Sequence, residues 1–197
     1  MLKKSIKGVD IYLLDQILKD LYQPGSKILD AGCGNGRNLK WFYQNGFEVY
    51  GMDMLSDRIV HCKNEFSDQK EHFIVSSIEG MPYTSNFFDH IICNAVLHFA
   101  KNPGHFHDLF GALVEILKPQ GSLFIRMASE FGLESSIKEL SGVVYELPDG
   151  SKRFLLSQQI LNELEAKFDV KLIESVKTTL VHEMRSMTTL VFKKEGS

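Results

Sequence analysis

The segment Ile28-Leu29-Asp30-Ala31-Gly32-Cys33-Gly34-Asn35-Gly36-Arg37-Asn38 sets three glycines at alternate positions, directly after an apolar run. Glycine permits a tight turn and lets a ligand approach the backbone closely. The start of a following helix presents unpaired N–H groups and the positive end of its dipole. An anionic group, here a carboxylate, fits such a turn. A second apolar run, Val49-Tyr50-Gly51-Met52-Asp53, ends in an acidic residue. A carboxylate at that point accepts two hydrogen bonds from a ribose diol, or serves only as a helix N-terminal charge. Met54 follows and either covers an adenine face or packs as an ordinary methionine. A dinucleotide site usually carries its third glycine one position later, where Arg37 stands and would crowd a pyrophosphate.

The elements that position these residues read from hydrophobic periodicity. Residues 9–22 carry Val9, Leu13, Leu14, Ile17, Leu18 and Leu21 at helical spacing, and Pro24-Gly25 stops the run. Residues 26–30 read as a buried strand, 36–45 as a helix ended by Gly46, 47–52 as a second strand, and 56–66 as a helix with Ser56 as its cap. Strands at 72–75 and 88–93 follow. Asn102-Pro103-Gly104 opens an amphipathic helix, Pro119-Gln120-Gly121 closes it, and 122–128 is the fifth strand. A helix at 157–167 precedes two β-rich runs at 169–179 and 187–194.

Strands alternating with helices require a parallel sheet with right-handed crossovers. The last two runs are separated by about seven residues, too few for a parallel crossover, so they pair antiparallel. The fold class is therefore α/β: a seven-stranded, mostly parallel, doubly wound sheet with one antiparallel strand near the C-terminus and helices on both faces. The 197 residues suit one domain, 1–197, with an N-terminal helix inside 1–25. The stretch 129–156 is polar, contains Gly132, Gly142 and Pro148-Asp149-Gly150, and reads as an insertion covering a substrate at the carboxyl end of strand five.

Hydrophobic residues at 44% and charged residues at 24% describe an ordinary soluble chain. The net charge of −3 argues against a general nucleic-acid binder, whose affinity rests on many cationic phosphate contacts. The three widely spaced cysteines form neither a disulfide framework nor a zinc pattern, and no cluster has metal-ligand spacing. The apolar stretch Ile11 to Leu14 is cut by Asp10 and Asp15, so neither a signal peptide nor a membrane span is expected. A cytoplasmic protein is the expectation.

Taken in order, the segments from 28 to 128 resemble the core of class I S-adenosylmethionine-dependent methyltransferases. Asp30-Ala31-Gly32-Cys33-Gly34-Asn35-Gly36 is similar to the first motif, and Ser77-Ile78-Glu79-Gly80-Met81-Pro82-Tyr83 to the third, which embraces adenine. Phe88 to Phe99 resembles the fourth, and Ile116 to Leu123 the turn into strand five. The family commonly has Asp where Ser77 stands; serine accepts the adenine amino group without charge, and Glu79 is the alternative acceptor. The resemblance implies S-adenosylmethionine as cofactor and S-adenosylhomocysteine as product, held by Asp30, Gly32, Gly34, Asn35, Gly36, Asp53, Met54, Ser77, Ile78 and Asn94. A narrower resemblance joins Gly32 to Asn38, Val96-Leu97-His98-Phe99 and Arg185 to Lys194 to small bacterial methyltransferases of the tellurite-resistance type, which act on small soft nucleophiles.

Methyl transfer from a sulfonium is an in-line displacement, driven by alignment and desolvation, and it needs a base only when the acceptor holds its proton. Ligands of open α/β sheets bind beyond the carboxyl ends of the strands, at the switch point. That brings 94–99, 129–156 and 180–186 around a small-molecule acceptor. The candidates are His98 as general base, or as a histidine held by a backbone partner, and Arg126, Tyr145, Arg153, His182 and Arg185 as substrate ligands. Arg126 lies between apolar neighbours and requires a partner: a substrate carboxylate, Glu130 or Asp89. Convergence of two of the basic groups would point to an anionic acceptor.

Three other classes compete. An RNA or DNA methyltransferase is disfavoured by the charge and by Asn94-Ala95-Val96-Leu97, which lacks the Pro-Pro-aromatic sequence that stacks a flipped base. A non-catalytic nucleotide-binding module would share the core but lack an acceptor-sized cavity. Arg37 disfavours an NAD-dependent oxidoreductase.

Overall fold

The computed structural model describes residues 6–133, 135–140 and 144–196. The first five residues of the N-terminal region and Gly142 of the insertion lie outside them. In chain order the elements are α1 (Ile11–Leu18), β1 (Lys27–Ala31), α2 (Lys40–Gln44), β2 (Glu48–Asp53), α3 (Ser56–Glu65), β3 (Phe73–Val75), β4 (Phe88–Asn94), α4 (Pro103–Ile116), β5 (Leu117–Ala128), β6 (Lys138–Glu139), β7 (Val144–Glu146), β8 (Lys152–Phe154), α5 (Gln158–Lys167), β9 (Val170–Leu172), β10 (Lys177–Val181) and β11 (Arg185–Lys194).

The main sheet runs β10-β11-β5-β4-β1-β2-β3, with the short β9 beside β11. From β3 to β5 every pairing is parallel. β11 is antiparallel to β5 and to β10, so one strand of the seven on this path is reversed, as the short last connection requires. The chain leaves β1 towards β2 and β3, then returns to build β4 and β5 on the other side. The switch point therefore lies between β1 and β4.

Side chains of successive strand residues point to opposite faces, and this parity sorts the core into two layers. Leu29, Ile91, Leu123, Ile125, Leu190 and Phe192 face the layer that contains Phe106, Phe110 and Leu113 of α4 and Leu164 of α5. Ile28, Val49, Ile92, Phe124 and Val191 face the layer built on Leu13 and Ile17 of α1, Phe42 of α2, and Ile59 and Cys62 of α3. Burial on both sides explains why the strands are apolar throughout.

Several boundaries differ from the periodicity. The first helix stops at Leu18 because Asp20 takes a left-handed φ of 56°, and the chain turns back to bury Tyr22 edge-on to Phe42 and His90. Asp10 caps α1, its Oδ1 accepting from Tyr12 N at 2.9 Å. The helix expected from 36 starts only at Lys40, since residues 34–39 are turns and Gly36 has a φ of 71°. Ser56 is not a cap: Leu55 occupies that position, and Asp53 Oδ1 takes the Leu55 N–H at 3.0 Å. The run 169–179 breaks into β9 and β10. Between them Glu174 is drawn to α1, accepting from Gln16 at 2.8 Å and Lys19 at 2.7 Å. The hairpin from β10 to β11 turns on His182, Glu183 and Met184, with left-handed φ at the first two.

The 129–156 segment is not featureless. It folds β6, β7 and β8 into an antiparallel sheet, rooted where Ser129 bridges Leu156. Leu133, Leu147 and Leu155 bury against Ala128 and Met187 beneath it. No helix of the described residues is long and apolar enough to cross a membrane.

Candidate functional site

The glycine turn leaves β1 and comes back to β2, with Gly32 and Cys33 N–H both donating to Met52 O at 2.8 and 2.9 Å. Its glycines do different work. A Cβ at Gly32 would lie 2.3 Å from Val96 Cγ2, and one at Gly36 would lie 2.5 Å from Phe66 Cε2. These two exist for packing. A Cβ at Gly34 would meet nothing within 4 Å, so its backbone faces open space, where a ligand can come close.

Asp53 braces the turn, its Oδ2 accepting from Gly34 N at 2.9 Å. Both its oxygens thus have one backbone donor each and keep acceptor capacity for a diol. Met54 beside it is largely exposed, and Ile78 is buried in a single 3₁₀ turn that follows Ser77. Glu79 is engaged by His105, whose Nε2 lies 3.0 Å from its Oε1. Asp30, at the end of β1, is 1% exposed, and neither of its carboxylate oxygens has a hydrogen-bond partner. Burial pushes its carboxyl up to about 7, against the opposing pull of Arg37 and Asn38 nearby. A buried unpaired acid costs free energy and calls for a cation or a donor. An ammonium presented at the end of β1 meets that demand.

Beyond the ends of β4 and β5 opens a cavity of about 540 Å³. It brings together Asn94 and His98 after β4, Arg126 on β5, Arg153 of the insertion, and His182 and Arg185 of the hairpin. Arg37 reaches it from the glycine turn, with its guanidinium on Gly8 O at 2.9 Å. Ala95, Leu147, Met184 and Met187 supply apolar wall. Arg126 is neither free nor paired as the sequence suggested. Its partner is Asp10 at 3.5 Å, from the cap of α1, while Lys118 takes Asp89 at 2.7 Å. Arg185 is held by Asp149, Nε to Oδ2 at 3.0 Å. The Ser151 hydroxyl and this guanidinium hold the Asp149 carboxyl at about 2. Arg153 stacks 4.9 Å over Phe99. His98 is buried, its Nδ1 accepting from Ala128 N at 3.3 Å. Burial, with Arg153 and Arg185 adding positive charge, lowers its imidazole to about 4.

Residues 29–125, the span holding the glycine turn, β2 and the β4 end, match the family model described as a methyltransferase domain. That span is a methyltransferase domain of the class I type. The methyltransferase of Methanosarcina mazei that depends on S-adenosylmethionine superposes with a TM-score of 0.74, at 17% identity, covering 92% of this chain and 98% of that one. The 1,6-didemethyltoxoflavin-N1-methyltransferase of Burkholderia thailandensis, solved with S-adenosylhomocysteine, gives a TM-score of 0.69 at 16% identity over 91% and 76% of the two chains. Among curated proteins, the malonyl-[acyl-carrier protein] O-methyltransferase of Enterobacter lignolyticus (strain SCF1) is 24% identical over 166 residues, 82% of this chain and 63% of that protein. The chain therefore spans less than two thirds of that relative's length. The open Gly34, the braced Asp53 and the unpaired Asp30 are residues that would fit S-adenosylmethionine.

In this fold the candidates read from sequence separate. His98, Arg126, Arg153, His182 and Arg185 line one cavity with Asn94. Tyr145 does not join them; it lines a smaller recess with Glu130 and Phe154 under α5. Position in the insertion suggested it, and Tyr145 stands opposite Arg153 of β8, yet the two residues line different recesses. His105 and His107 are engaged away from the cavity, by Glu79 and by Glu163 at 3.2 Å. Sequence reasoning missed Arg37 and Asp149 as cavity residues. Arg37 directly follows the third glycine, and that adjacency was the available signal.

Proposed function

We propose that this chain transfers the methyl group of S-adenosylmethionine, by in-line displacement, to a small anionic acceptor seated in the cavity beyond β4 and β5. The carrying observation is charge: among the described residues, Arg37, Arg126, Arg153 and Arg185 line one cavity with a single carboxylate, Asp149, in a chain of net charge −3. Such a field concentrates anions and repels amines. A volume of about 540 Å³ suits a small molecule. The relative from Burkholderia thailandensis acts on a small molecule by its name. When bound, the cofactor supplies an electrophilic methyl carbon on a sulfonium. Asp53 would hold its ribose diol, Asp30 its ammonium, the Gly34 backbone and Asn35 the amino-acid end, and Met54, Ser77 and Ile78 its adenine. Residues 1–197 act as one domain in this reading, and the 129–156 segment covers the acceptor and excludes water. Three buried free cysteines suit the reducing cytoplasm.

Thermal unfolding tests the reading. S-adenosylmethionine and S-adenosylhomocysteine at about 100 times their Kd should each add about 2.7 kcal/mol, a Tm rise of roughly 5–10 °C. Asp53→Ala should lose that rise, and NAD should produce none. Stabilisation by NAD alone, or by none of the three, would remove the methyltransferase reading.

A further inference from the structure

We propose that Asn94, His98 and Arg126 form a cradle of hydrogen-bond donors for a carboxylate of the methyl acceptor, with His98 donating through Nε2–H instead of acting as a base. The inference deepens the methyltransferase reading and rests on it.

Asn94 and Arg126 are register partners on the adjacent strands β4 and β5, and both line the cavity. Each carries a side-chain N–H that is buried without a partner: Asn94 Nδ2 and Arg126 Nε. Two orphaned donors side by side on rigid strands call for one shared acceptor. Arg126 already faces Asp10 through its terminal nitrogen, so its charge is placed while its Nε remains open.

His98 completes the set through its tautomer. Its Nδ1 accepts the Ala128 N–H, so the single proton of the neutral ring sits on Nε2. The groups facing the ring are Arg153, Arg185, Phe99 and the Ala128 amide, and the two guanidiniums oppose a second proton. A ring fixed in this way has no lone pair free to take a proton from the acceptor. The one carboxylate lining the cavity among the described residues, Asp149, is engaged by Arg185 and Ser151. The three donors, with Asp149 engaged elsewhere, are bordered by Ala95, Leu147 and Met187. That lining selects a carboxylate on an apolar body. A neutral amide satisfies it poorly, and an ammonium is repelled.

The cofactor carries a carboxylate of its own, so the test separates the two sources. Nitrogen-15 NMR of the full chain would follow Arg126 Nε–H, the Asn94 amide and the His98 ring, first with S-adenosylhomocysteine and then with benzoate, benzamide or benzylamine added. Benzoate should shift all three signals on top of the S-adenosylhomocysteine complex, while benzamide and benzylamine should not. His98 should stay the Nε2–H tautomer from about pH 6 to 8, where an unperturbed imidazole titrates. Arg126→Gln should weaken benzoate about tenfold and leave S-adenosylhomocysteine within about twofold. Arg126→Lys, which keeps a charge opposite Asp10, repeats the measurement should the first variant not fold. If S-adenosylhomocysteine alone shifts the three signals and benzoate adds nothing, the cradle belongs to the cofactor and the proposal falls. A bound S-adenosylhomocysteine with an inert benzoate, or a His98 that titrates near neutrality, also overturns it while leaving the methyltransferase reading intact. Failure of S-adenosylhomocysteine to bind overturns that reading itself, and this proposal with it.

Discussion

Asp30→Asn should raise the melting temperature of the cofactor-free protein and abolish its response to S-adenosylmethionine. The Asp30 carboxyl is buried without a partner and ionises at about 7 in the fold, against 3.8 for the ordinary group. Between those two values the folded chain binds the proton that the unfolded chain has released. Stability from this group therefore falls as pH rises through that window, and the full cost is present above it. At about 1.4 kcal/mol per unit the cost above pH 7 is on the order of a few kcal/mol. Asparagine fits the same space without charge, so the variant should gain roughly 1–3 kcal/mol at pH 8 and little at pH 4. The ligand response runs the other way. The cofactor's ammonium favours the ionised carboxylate, so wild-type affinity should grow by up to about tenfold per pH unit between about 6 and 7 and then level off. In Asp30→Asn the binding should be weak and independent of pH. Calorimetric titration at three pH values decides this. An asparagine variant that binds like wild type, with the same pH profile, would show that Asp30 does not meet the ammonium.

Gly32→Ala should be among the most damaging single methyl additions in the protein, because two penalties coincide there. The residue has a φ of 84°, and its Cβ would lie 2.3 Å from Val96 Cγ2. The left-handed backbone costs an alanine about 1–2 kcal/mol, and overpacking adds about 1–3 kcal/mol. Valine cannot swing aside cheaply, since its χ1 is stiff. The expected loss is about 2–5 kcal/mol in urea unfolding. Val96→Ala in the same chain should recover the overpacking share and leave the backbone share. Gly34→Ala offers the contrast: with a φ of 52° and open space around its Cβ, it should lose only about 1–2 kcal/mol yet weaken S-adenosylhomocysteine strongly. A Gly32→Ala chain as stable as wild type, or no recovery on Val96→Ala, would contradict the packing of the β1 turn against the β4 loop.

The parity of Ile28 and Leu29, of Ile91 and Ile92, and of Phe124 between Leu123 and Ile125 was legible in the order of the residues. Strand side chains alternate, so neighbouring apolar residues must serve two layers. Three glycines at alternate positions likewise marked the ligand turn, because positive φ is a local property of the backbone. The short link before β11 required one reversed strand on length alone. Contacts between distant segments were another matter. Arg126 could be recognised as needing a partner, but Asp10 became that partner only when α1 packed against one face of the sheet. The proton of His98 was placed by the Ala128 amide, which β5 carries beside it. Tyr145 and Arg153 stand opposite each other in one small sheet, and only its packing sent them to separate recesses. Backbone conformation and burial parity are properties of a few consecutive residues, so the sequence by itself determined the sheet, its reversed strand and the glycine turn. Ion pairs and tautomers are properties of neighbours in space, so tertiary structure alone decided which donors remain open in the cavity.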